Sequence, residues 1–172
     1  MVDQIVEHVV AFMSENLPSF IPQEVAAYLI SFIVSLFPVL ECRGGMLAAR
    51  LLGGNVWISF IVCYIGNMVP IPFILLFIKQ IFKFMKKHNI LVKFIEKLEN
   101  KTAKNADKVL KYKQWGLLTF VAVPLPGTGG WTGSLFASLL NIEFKKALPI
   151  VALGVLIANF IMGVISFGLL GF

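Results

Sequence analysis

Apolar residues in this chain fall into long unbroken runs, without the alternation that marks a half-buried sheet. Uncharged stretches cover residues 25–40, 51–78, 114–142 and 147–172. A helix that crosses a hydrocarbon core needs about 20 apolar residues, and 51–78 and 147–172 supply them outright. The stretch at 25–40 reaches that length only by running on through Glu41 and Arg43 to Ala49. The stretch at 114–142 is long enough, but Pro124-Leu-Pro-Gly-Thr-Gly-Gly130 lies at its centre. Prolines and glycines so closely spaced break a helix. Pro38-Val-Leu-Glu-Cys-Arg-Gly-Gly45 interrupts the other doubtful stretch in the same way.

Ahead of these runs, Ile5, Val9, Phe12 and Met13 recur at helical spacing opposite Asp3, Gln4, Glu7 and Glu15. That pattern predicts an amphipathic helix over 1–17 lying in a membrane interface. Its first charges are acidic and no small-residue cleavage site follows, so it does not read as a secretory signal. Amphipathic helix, broken segment and clean span then occur in that order twice. The first set is repeat 1 (1–82), with an amphipathic helix 1–17, a re-entrant hairpin 24–52 and a transmembrane helix 55–82. The second is repeat 2 (83–172), with a basic amphipathic helix 89–113, a re-entrant hairpin 115–141 and a transmembrane helix 147–172. Short echoes accompany the order: Glu41-x-Arg43-Gly-Gly against Pro126-x-Thr128-Gly-Gly, and Ile65-Gly-Asn67 against Ile157-Ala-Asn159. The predicted fold class is an all-α integral membrane protein built as an inverted repeat.

Composition agrees with this reading. Hydrophobic residues make up 58% of the chain and charged residues 14%, against about 45–50% and about 25% in soluble domains. Charge sets the expected orientation. Eleven of the fifteen Lys and Arg residues lie in 79–113, which places that segment in the cytoplasm. Two hairpins return Lys145 and Lys146 to the same side and put the acidic N-terminus and the C-terminus outside. Four full spans would instead strand Lys145, Lys146 and Arg50 outside. The hairpin arrangement makes the halves opposite in orientation, a plan common among transporters. Location in the plasma membrane as a multi-pass protein follows.

Glu41 and Arg43 are the charges placed deep in a membrane segment, at about 2.5–3.5 kcal/mol each on insertion scales. Two readings stand: a mutual ion pair that fixes a hairpin tip, or Arg43 binding an anionic substrate group while Glu41 exchanges a proton. Gly44-Gly45 and Gly127-x-Gly129-Gly130 each precede an apolar helical run, where free N–H groups attract anions. Thr128, Thr132 and Ser134 would add hydroxyls. The alternative is close helix packing through Gly45/Ala49 and Gly130/Ser134. Asn67 and Asn159, inside the clean spans, read either as interhelical hydrogen bonders or as ligands. Pro70 and Pro72 should distort the first span and free carbonyls. Two cysteines and two histidines predict no disulfide framework, metal site or cofactor. A segment without Arg argues against nucleic acid as the partner of the basic run.

On Pro38–Gly45 and Pro124–Gly133 the chain resembles the small multi-drug export proteins, relatives of the DedA superfamily. The resemblance implies paired re-entrant hairpins, with a site at Glu41, Arg43, Gly44, Gly45, Pro126, Gly127, Thr128, Gly129 and Gly130. It also implies proton-dependent transport or the movement of lipids such as undecaprenyl phosphate. The leading expectation is therefore a proton-coupled secondary transporter or lipid translocase, with membrane lipids, protons and an anionic lipid or small anion as partners. A cation exporter using Glu41 and a non-transporting scaffold are the alternatives. An enzyme is not expected, since no nucleophile–base spacing is present. So short a chain also leaves room for a homodimer.

Topology is directly measurable with a tag after Phe172 and a membrane-impermeant label on intact cells. The tag is expected to label, while a single cysteine near Lys101 stays protected. Both on one side would mean that 115–141 crosses fully, and the paired hairpins would fall.

Overall fold

Prolines and glycines set the joints of the fold. The computed structural model describes residues 2–16, 18, 20–88, 92, 96, 113–125 and 127–169. The described residues form eight α-helices and no strand. Helix α1 (Val2–Asn16) stops before Pro18, and Pro22 caps the start of α2 (Gln23–Leu36). Pro38 lies in the turn that separates α2 from α3 (Glu41–Leu51). Gly53, at φ +73°, turns the chain again. Asn55 then opens α4 (Val56–Met68) by accepting from the backbone N–H groups of Trp57 and Ile58, the usual role of an Asn N-cap. Helix α5 (Pro70–Lys87) follows at once, with Pro70 at its first position. The second half holds α6 (Lys113–Ala122), α7 (Gly130–Leu139) and α8 (Phe144–Gly163), whose end loosens into a π-helical turn over Val164–Leu169.

Lengths separate the helices into two kinds. Helices α2, α3, α6 and α7 hold 14, 11, 10 and 10 residues, or about 15–21 Å at the α-helical rise. None crosses a ~30 Å hydrocarbon core alone. Val56–Ile78, running through α4 into α5, and Phe144–Gly168 are long and apolar enough to do so. Their most apolar windows are only 22% and 33% buried. The core helix of a water-soluble protein would be mostly covered. Here Trp57, Ile61, Ile65, Phe73, Phe160 and Val164 face outward, as lipid contact requires.

The second long helix starts at Phe144, three residues before the expected 147, because Lys145 and Lys146 sit in its first turn. A charge at a membrane interface need not end a helix. In the first long helix the two prolines mark the joint between α4 and α5. Pro70 and Pro72 lack the N–H groups that would bond the carbonyls of Gly66 and Met68. Val69 between the two helices keeps helical angles. Helix α1 is also packed on protein: Val6 and Val10 are buried with Ile30, Val34, Leu40 and Ala48, so α1 docks on α2 and α3 while Ile5 and Phe12 stay exposed. The expected basic helix 89–113 lies outside the described residues, save for Val92, Glu96 and Lys113.

Packing follows the same order in both halves. Helix α2 lies on α4, and α6 lies on α8, each against the long helix of its own half. The second arms also reach across: α3 packs on α8 as well as α4, and α7 packs on α5 as well as α8. Three apolar clusters result. One joins α1, α2 and α3, and another joins α5 to α8 through Ile71, Leu117, Val121, Val151 and Val155. The third, Cys42, Met46, Ala49, Cys63, Ala158 and Phe167, ties the halves together.

The α2–α3–α4 junction closes on Gly45, where a Cβ would run into Ser35 Oγ and lie 2.9 Å from both Cys63 Sγ and the Ser31 carbonyl oxygen. Gly45→Leu is expected to destabilise the protein by about 1–3 kcal/mol, read as a lower unfolding midpoint in detergent. Gly116→Leu, where a Cβ meets nothing within 4 Å, should not lower it.

Candidate functional site

The turn after α2 is built under backbone strain. Val39 has φ +81° and Glu41 φ +50°, a region that costs an L-residue about 1–2 kcal/mol. For a β-branched valine it is an outlier. The strain coincides with a directed side chain: Glu41, 3% exposed, reaches the start of α7. Its Oε2 accepts from the backbone N–H of Gly130, and its Oε1 from that of Trp131, both at 3.1 Å. The first-turn N–H groups of a helix have no partner within it and carry the positive end of its dipole. A carboxylate there makes charge-assisted bonds.

Arg43, two residues on, reaches the loop before α7. Its guanidinium donates to the Leu125 carbonyl, to the Thr128 carbonyl at 2.8 Å and to Thr128 Oγ1 at 3.0 Å. The Thr128 hydroxyl lies within hydrogen-bond range of the Val123 and Leu125 carbonyls, at 2.7 and 2.8 Å. Arg43 and Thr128 therefore hold this loop in shape together. Glu41 and Arg43 are not salt-bridged to each other; each reaches across to the second break. Besides the attraction between their charges, the two side chains form a double clasp between the two breaks.

The glycine pairs divide by role. Gly44 and Gly45 lie inside α3, three and four residues past its start, and Gly44 N–H already donates to the Leu40 carbonyl at 2.9 Å. A Cβ on Gly44 would lie 2.9 Å from Leu40 Cβ and 3.0 Å from Val34 Cγ1. Both residues are required by packing, and the expectation that they form an anion site is corrected by the earlier start of the helix. Gly129 and Gly130 do face the clasp. Gly129 sits at φ +127°, and a Cβ there would run into the Glu41 carboxylate. Gly130 gives its N–H and also packs closely, with Ile71 Cδ1 2.7 Å from a would-be Cβ. Gly127, at φ +83°, turns the chain in open space. Pro126 lies outside the described residues.

The two asparagines also divide. Asn159 donates to the Phe60 carbonyl at 2.7 Å and so bonds α8 to α4. Asn67 is fully buried with both amide atoms unpartnered. Its amide faces the Glu41 carboxylate and the Cys42 thiol, without reaching close hydrogen-bond geometry with either, and its Oδ1 would be 3.5 Å from a Cβ on Gly130. Ser134 bonds back to the Gly130 carbonyl at 2.7 Å, whereas Thr132 Oγ1 is buried without a partner. Sequence reasoning did not single out Trp131, whose backbone N–H is half of the clasp and whose indole N–H is buried and unpartnered. Its place directly after Gly129-Gly130, at the start of a helical run, was the available signal. Among the described residues no group of three His, Cys, Asp or Glu is placed to hold a metal.

Comparison with known families gives one match, to the family described as "Putative small multi-drug export protein", over residues 41–161. The matched span is more than half of the chain and takes in Glu41, Arg43, the second break and both asparagines. No curated protein and no solved structure matches.

The clasp can be weighed with two glycines that share a positive φ but differ in surroundings. Gly127→Ala is expected to cost about 1–2 kcal/mol through backbone strain. Gly129→Ala should cost more, because it also displaces the Glu41 carboxylate. Against a Glu41→Gly background the excess should shrink by at least about 1 kcal/mol, measured as a double-mutant cycle on unfolding midpoints.

Proposed function

We propose that this chain, which belongs to the small multi-drug export protein family, is a small proton-coupled secondary transporter or lipid translocase. In this reading the start of α7 receives an anionic group of the substrate and Glu41 carries the proton. One observation carries it: the carboxylate of the first break is seated on the helix N-terminus of the second, with Arg43 holding the loop beside it. The family description names export, which supports transport as the class of function.

We read the two breaks as re-entrant hairpins in an inverted repeat. Support comes from the repeated order of elements, from four short helices that each fall well short of a bilayer, and from the way second arms pack on the opposite half. Oppositely oriented half-helices that meet at the midplane are a known way of exposing helix ends to a substrate. The Lys-rich 79–113 segment then lies in the cytoplasm of a plasma-membrane protein with both termini outside. A wider kinship with the DedA superfamily, and undecaprenyl phosphate as substrate, belong to the same proposal. So do a homodimeric state and the absence of enzyme activity.

Flux in proteoliposomes tests it. Arg43→Gln should reduce translocation of an anionic lipid by at least about tenfold, the factor that corresponds to about 1.4 kcal/mol, while the protein stays folded. Glu41→Gln should remove the dependence on a proton gradient. Unchanged anion flux in Arg43→Gln would sink the anion site. Retained or tighter cation binding in that variant would favour a cation exporter, and absence of specific flux in every variant a scaffold.

A further inference from the structure

Resting on the transport reading above, we propose that the Glu41 carboxylate is a tethered competitor for the substrate's anionic group. Substrate can then seat at the start of α7 only when Glu41 has taken up a proton and left. The ligand class is an oxyanion carrying one negative charge, a carboxylate or a phosphate ester, whether borne by a lipid or free.

Space is the first constraint. Gly130 N–H and Trp131 N–H both point at Glu41, which leaves Thr132 N–H as the one further first-turn donor, since Gly133 N–H is bonded to the Gly129 carbonyl at 2.8 Å. The carboxylate lies so close over Gly129 that Glu41 Cδ would be 2.7 Å from a Cβ there. A second oxyanion cannot share that position with the first.

Charge gives the same answer. With Glu41 ionised, its charge is balanced by Arg43. With Glu41 protonated and an anion in its place, the balance against Arg43 is unchanged. An anion arriving while Glu41 stays ionised would set two negative charges against one half-buried Arg43, which is disfavoured where one of them is buried. Anion binding is therefore linked to proton uptake.

Asn67 is the second observation at this place. It is fully buried beside Gly130 and faces the Glu41 carboxylate, yet neither amide atom has a partner at close hydrogen-bond geometry, and a buried amide left short of its bonds is costly. Its Oδ1 can accept the O–H of protonated Glu41, and its Nδ2 can donate to the arriving anion. Asn67 thus serves both occupants of the site.

Few other groups can titrate near Glu41. Cys42, Arg43 and, in the last turn, Arg50 share its helix, with Cys63 of α4 next to Cys42; Tyr64 of α4 and Tyr28 of α2 are the phenols on the helices packed against it. Helix α7 carries no titratable side chain. On the other helices packed against α3, Glu7 and His8 of α1, Glu24 of α2, and Lys145 and Lys146 of α8 are exposed.

The test uses Trp131 as reporter. Trp57 and Trp115 are 74% and 71% exposed, so replacing both by Phe alters only the outer surface and leaves Trp131 as the one tryptophan of the three. Methanesulfonate, a monoanion throughout, is titrated from pH 5 to pH 8 at constant ionic strength in detergent. A parallel series uses phosphatidylcholine nanodiscs with and without phosphatidylglycerol. Affinity is expected to fall by about tenfold per pH unit above the titration of Glu41, the signature of one linked proton.

Glu41→Gln should bind with a flat pH profile, and tighter than wild type at pH 8. Glu41→Gly, whose glycine suits φ +50°, should do the same. Asn67→Leu should weaken binding without changing the slope. Response to methanesulfonate supports a free anion, and response to phosphatidylglycerol alone a lipid-borne one. Binding that is flat or rises with pH in the wild type would overturn the competition while leaving the anion site standing. No binding of either probe, in wild type and Glu41→Gln alike, would overturn both. The wild-type series decides the point even where a variant fails to fold.

Discussion

A carboxylate inside an apolar bundle must find donors, and the first turn of a helix that starts inside the same bundle must find acceptors. Glu41 and the start of α7 satisfy each other. The carboxylate is buried away from solvent, so this pairing fixes much else. Both breaks have to meet, which requires α3 and α7 to begin at the same place in the bundle. Gly129 has to leave its Cβ position empty for the carboxylate. Val39 and Glu41 have to accept unfavourable backbone angles so that the side chain points across the interface and not along its own helix. Strain of this kind persists only where surrounding packing over-determines it, and the Val6–Ile30–Val34–Leu40 cluster supplies that packing.

The same economy explains why glycine occurs in pairs here for two unlike reasons. Gly44 and Gly45 allow three helices to approach where side chains would separate them. Gly129 and Gly130 bring a charge against backbone N–H groups. The motifs look alike in sequence because both problems call for the absence of a side chain. The helix boundary tells them apart. Gly44 lies after the first turn has begun its own hydrogen bonding, whereas Gly130 is the first residue of its helix.

Much of the architecture was legible in residue order, because prolines and glycines interrupt apolar runs at places that no packing can hide. The two long helices, the two breaks and the joint at Pro70 all follow from that. The docking of α1 through Val6 and Val10 did not, because only the groove over Gly44 selects those two from its apolar residues. At the site, Glu41 and Arg43 stood out by their cost in a membrane segment. Their partners did not, because Leu125, Gly130 and Trp131 take part through backbone atoms that any residue carries. Asn67 and Asn159 sit in matching short motifs, yet one bonds a neighbouring helix and the other nothing. That difference depends on which carbonyl lies opposite, a tertiary fact.

The joint at Val69 has a mechanical consequence. It divides the first long helix into α4, which supports α3 and hence Glu41, and α5, which supports α7 and hence the N–H groups that Glu41 meets. The two prolines remove hydrogen bonds that would stiffen the rod at that place alone. Any bending there would load the contacts that cross between the halves, the clasp itself and the Cys42–Met46–Ala158 cluster beneath it.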